Sequence, residues 1–165
     1  MRRILSNATV FTLVAVAFGA IAQQQPTQVS PKLKEVVDQM KSYAAGKPGM
    51  SSKIPQGSFY FKWLQSPPPD FDKAYFKLGE LNVGKKFLTL NLIRKTSAGV
   101  ELIILNDNDM NGTVEEAYKA TGRTLSDADK AITTSSEKLK VPVTPEMVAN
   151  WNAMVDELKW ELKSN

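Results

Sequence analysis

The chain contains neither cysteine nor histidine. Without cysteine there is no disulfide, no thiolate nucleophile and no point of lipid attachment, so stability rests on packing. Without either residue, Ser-His-Asp and Cys-His nucleophile systems cannot be built. Zinc, copper and iron lose their preferred ligands, and so does any switch based on histidine titration near neutral pH. An excess of one charge is missing too. The formal net charge is +4, and Arg2 and Arg3 alone account for half of it. Nothing in the chain resembles the basic stripe that nucleic acid would require. What remains is carboxylate chemistry, lysine chemistry and hard cations bound through oxygen.

Long apolar runs are scarce, and the densest lies at the start. Met1-Arg2-Arg3 precedes a mostly apolar stretch from Ile4 to Ile21, closed by Ala20-Ile21-Ala22 and a polar Gln23-Gln24-Gln25-Pro26. A basic head, an apolar centre and a small-x-small end describe a secretory signal peptide over residues 1–22. The expected location is therefore secreted or periplasmic, with no membrane span after cleavage. Residues 23–29 are expected to form a disordered lead-in, and 30–165 a single α+β domain.

Ser30-Pro31 opens an amphipathic helix carrying Leu33, Val36, Val37, Met40 and Tyr43, with Gly46 as its stop. Gly46 to Gly57 has the composition of a loop. Four strands follow: Ser58–Leu64, Ala74–Leu81, Lys86–Lys95 and Val100–Leu105. Thr113 and Glu116 have capping-box spacing, which predicts a helix there. A second helix is expected from Thr124 or Ser126, weakened by Thr133-Thr134-Ser135-Ser136. Thr144-Pro145-Glu146 opens the strongest helix, with Met147, Trp151, Met154, Leu158 and Leu162 on one stripe. The expected fold is α+β: an N-terminal helix, a four-stranded antiparallel meander, then two or three C-terminal helices packed on one face of the sheet.

Two sets of residues carry chemistry. Aromatics concentrate in the first half of the sheet, where Phe59, Phe61, Trp63, Phe76 and Phe87 are candidates for a ligand groove, set against ordinary core packing. Trp160, off the C-terminal stripe, is the candidate partner contact. The second set is Asp107-x-Asp109-x-Asn111-Gly112, with Glu115 at the ninth position of a Ca2+ loop. Alternating oxygen ligands suit Ca2+. However, Tyr118 stands where an EF-hand needs its last acid, so the motif is not an EF-hand. Asn111-Gly112-Thr113 is also a glycosylation sequon in a eukaryotic secretory pathway.

No catalytic residues are assigned, and the balance is against an enzyme. The expected function is an exported, non-enzymatic binding or interaction protein for an unknown protein or a small apolar ligand, with no nucleic acid. The first alternative is a structural module stabilised by Ca2+, the one cofactor these residues allow. A hydrolase working through Asp107, Asp109, Glu115 and Glu116 is the remaining alternative.

Overall fold

The computed structural model describes residues 28–164; the signal segment, most of the lead-in and the last residue lie outside the described residues. The elements run α1 (Pro31–Ala45), β1 (Ser51–Ile54), β2 (Gly57–Trp63), β3 (Lys73–Leu81), β4 (Lys86–Thr96), β5 (Gly99–Asp107), β6 (Glu116–Gly122), α2 (Leu125–Leu139), β7 (Lys140–Val141) and α3 (Pro145–Lys163). The strands form one antiparallel sheet in the order β1-β2-β3-β4-β5-β6-β7.

The four-stranded meander is thus corrected to a seven-stranded one. The fold stays broadly α+β, but β1, β6 and β7 are strands beyond the four expected. β1 is Ser-Ser-Lys-Ile, almost wholly exposed, and pairs with β2 across a tight turn at Pro55-Gln56. An edge strand that buries nothing shows no apolar alternation, so its composition looks like a loop. β6 replaces the helix that the capping-box spacing of Thr113 and Glu116 predicts, although Glu, Ala and Lys are good helix formers. Pairing with β5, from Val100↔Gly122 to Asn106↔Glu116, overrides that propensity. β7 is only two residues long and follows directly from α2.

The helices also divide between the two faces instead of sharing one. Leu33, Val36, Val37 and Met40 of α1 and Trp151, Met154, Val155 and Leu158 of α3 share an inner core with Ala74, Phe76, Leu78, Leu88, Leu90, Leu92, Ile103 and Leu105. On the outer face, Ala128 and Ile132 of α2 pack with Ile93, Leu102, Ile104, Tyr118 and Ala120. The central strands are therefore covered on both sides, and β5 reads as a nearly continuous apolar run.

Each helix starts on a side-chain or proline signal. Thr144 Oγ1 accepts from the Met147 amide at 3.2 Å, with Pro145 at the first position of α3. Thr124 and Asp127 form a reciprocal capping box on α2. Inside α2, helical geometry breaks at Ser135 (φ −142°, ψ 34°). The hydroxyls of Thr133 and Thr134 donate to the carbonyls of Asp129 and Lys130 at 2.8 and 2.9 Å just before the break, an arrangement that bends helices.

Candidate functional site

The outer face can be drawn row by row from the strand register. One row is Trp63, Tyr75, Asn91, Ile104 and Tyr118; the next is Phe61, Lys77, Thr89, Asn106 and Glu116; beyond it lie Phe59, Gly79 and Phe87. α2 packs over β5 and β6, so the aromatics of β2 to β4 stand beside it, not beneath it. Trp63 is 39% exposed. Its ring lies on Tyr75 with centroids 4.6 Å apart. The Phe87 ring lies over Gly79, where a Cβ would come within 2.3 Å of it, so only glycine fits under that ring. Phe59 lies 6.2 Å from Phe87.

Four of the five groove candidates, Phe59, Phe61, Trp63 and Phe87, are brought to this face. Phe76 is not. As an even-numbered residue of β3 it points inward, fully buried, with its ring 5.7 Å from Trp151. Strand alternation alone separates it from the others.

Polar groups are set among these rings. Lys77 holds its ammonium 5.9 Å from the centre of the Phe59 ring. Burial lowers the Lys77 pKa, against the pull of Asp129 on α2. Burial raises the Asp129 carboxyl in turn, and Lys77 only partly offsets it. At the far end of the face a pocket of about 190 Å³ is lined by Trp63, Asp72, Lys73, Ile93, Lys95, Val100 and Leu125.

The acidic motif falls in the β5–β6 connection and so joins strand to strand. The predicted capping box at Thr113 does not form, because the Thr113 hydroxyl donates to Asn111 Oδ1 and Glu115 Oε1. Asp107 ends β5 and is fully buried. Its two oxygens accept from the backbone amides of Asn111 (3.1 Å) and Gly112 (2.8 Å). Asp109 Oδ1 accepts from the same Asn111 amide at 3.1 Å. Glu115 accepts from the Asn108 amide at 2.7 Å and from Asn111 Nδ2 at 3.0 Å. Gly112 sits at φ +95°, a region suited to glycine. Its carbonyl accepts from the buried Trp151 indole at 3.1 Å, and the Met110 carbonyl accepts from the Ser30 amide at 2.8 Å. The loop is thereby fastened to both inner helices.

Asp107, Asp109 and Glu115 each offer a carboxylate oxygen, all within 4.8 Å of one another, and could hold a metal ion. Each oxygen that accepts one amide keeps a second lone pair, so a hard, oxygen-ligated cation suits this donor set. Burial, reinforced by Glu115 and Asp109 nearby, pushes the Asp107 carboxyl up to about 6, against the lowering effect of its two amide donors. Glu116 lies apart from this group. It faces outward, where Lys140 (2.6 Å), Asn108 (2.8 Å) and Tyr118 (3.0 Å) donate to it. The trio is packed more closely than the ~5–5.5 Å pair of a retaining glycosidase.

One group escaped the sequence reading. Lys62 on β2 and Glu161 on α3 form a buried ion pair on the inner face. Lys62 also donates to the Trp63 carbonyl at 3.0 Å, and the Gln65 amide donates to Glu161 at 2.6 Å. The signal was present: Lys62 alternates with the outward Phe61 and Trp63, and Glu161 falls seven residues after Met154 on the apolar stripe. Trp160, next to Glu161, is 60% exposed. Comparison with protein-family models, with curated proteins and with solved structures finds no match to this chain.

Proposed function

We propose that this protein is an exported, non-catalytic binding module that presents the outer face of β2 to β4 to its ligand. The observation that carries this reading is the tilted Trp63–Tyr75 ring pair, its indole 39% exposed beside α2 and lining a pocket. Aromatic rings held on strands lose little freedom on binding and offer flat apolar area. Saturation-transfer NMR with phenol and with methyl β-glucopyranoside tests it. The expected result is transfer to at least one ring that Trp63→Ala removes. Absence of transfer, or transfer that survives Trp63→Ala, refutes the reading.

The second reading is a β-hairpin loop stabilised by Ca2+, favoured by the proximity of Asp107, Asp109 and Glu115. Asn111, through its carbonyl, and water would complete the coordination. Millimolar Ca2+ should raise the melting temperature at pH 7, chelator should reverse the rise, and Asp109→Ala should abolish it. An unchanged melting temperature removes this reading.

A further inference from the structure

The pocket at the Trp63 end has a chemistry distinct from the rest of the face. Its wall is the Trp63 indole, and its apolar lining is Ile93, Val100 and Leu125. Strand register puts Lys73 and Lys95 at its rim on the same outer face: Lys73 lies directly opposite Ile93, and Lys95, two residues after Ile93 on β4, pairs with Val100. Both lysines are exposed, and neither ammonium has an ion-pair or hydrogen-bond partner among the described residues. The one acid in the lining, Asp72, already accepts from the Lys95 backbone amide at 2.6 Å. Asp127 caps Thr124 and so satisfies the start of α2 nearby. The rim thus carries two cations and one carboxylate around an apolar, aromatic hollow, an excess of one positive charge.

Size narrows the occupant further. Pockets for drug-sized ligands run to roughly 300–1,000 Å³, and this one is about 190 Å³. A lipid chain or an oligosaccharide would lie mostly outside it.

We propose that this pocket takes a small aromatic carboxylate, one ring seated against Trp63 over Ile93 and Leu125, its anion held between Lys73 and Lys95. This rests on the reading of the outer face as a binding surface and names the ligand class for it. Ring and anion each add to binding: the Trp63 indole and the apolar lining take the ring, and the two lysines, outnumbering Asp72, favour an anion over a cation.

The test uses benzoate, benzyl alcohol and acetate as probes against the protein, by ligand-observed NMR titration at low and high salt. Benzoate should bind about tenfold more tightly than benzyl alcohol, the amount expected of two exposed ion pairs. That advantage should shrink with salt and vanish in Lys73→Glu/Lys95→Glu, whose side chains are exposed and leave the fold intact by circular dichroism. Trp63→Ala should weaken benzoate and benzyl alcohol alike. Benzyl alcohol binding as tightly as benzoate overturns the anionic class while leaving the binding face standing. Acetate binding as tightly as benzoate overturns the need for a ring. Failure of all three probes overturns the proposal, and phenol and the glucoside then decide separately on the face itself.

Discussion

Asp107 shows how one buried carboxylate organises a loop. Its oxygens hold the amides of Asn111 and Gly112, and it does so without an ion-pair partner among the described residues. The folded protein keeps the Asp107 proton up to about pH 6, whereas the unfolded chain releases it near 3.8. Between these values the folded state binds more protons, so this residue's contribution to stability declines as pH rises through that window. In chelator-treated buffer, the stability of the native protein relative to Asp107→Asn should therefore fall between pH 4 and pH 6 and level off above, as read by urea unfolding. A flat difference would mean that Asp107 is ionised throughout. Asp107, Asp109, Asn111 and Glu115 were visible in the sequence because turn chemistry and ligand spacing use the same residue types. That Asp107 is buried and that Glu116 faces the other way were not visible. Both depend on the alternation of strands whose pairing is set elsewhere.

At the scale of elements, legibility followed burial. α1, β2, β3, β4, β5 and α3 each bury one face or both, and each left an apolar period in the sequence. β1 buries nothing, and β6 carries small residues that serve a helix or a strand equally well. α2 was readable at its start, through Thr124, and at its weak point, through the threonine and serine run that ends its regular geometry at Ser135. Removing the cap hydroxyl in Thr124→Ala should cost about 1 kcal/mol. Hydrogen exchange should show the first turn of α2 opening more readily while β2 and β3 stay protected. Equal loosening across the sheet would show that the cap acts on the whole fold and not on the helix alone.

For the whole molecule, the separation of the faces is the main result. The inner face is a closed core, and the outer face is shared between α2 and open aromatics. The sequence predicted one helical face because three amphipathic stripes say that helices pack, but not on which side. Lys62 and Glu161 add a constraint that joins β2 to the last turns of α3. Truncating Lys62 to Met leaves Glu161 buried without its cation, and the expected loss is about 3–5 kcal/mol. Lys62→Met/Glu161→Gln should recover a large part of it in chemical denaturation. A double variant as unstable as the sum of its parts would show that the two side chains act independently.

The strand order has a consequence in time as well as in space. Because each strand pairs with the one before it, the sheet can be laid down in the order in which the chain emerges, each step from β1 to β6 closing only a short loop. The exceptions include the contacts of α1 with the inner face and with the β5–β6 loop, and those that bring α3 back to α1, β2 and the same loop. A chain emerging from a pore with its N-terminus first would therefore hold a nearly complete sheet, its inner face covered only by α1, until the nineteen-residue α3 arrived. For that interval the apolar residues of β3 and β4 are only half shielded, and α3 is the element that completes their removal from water.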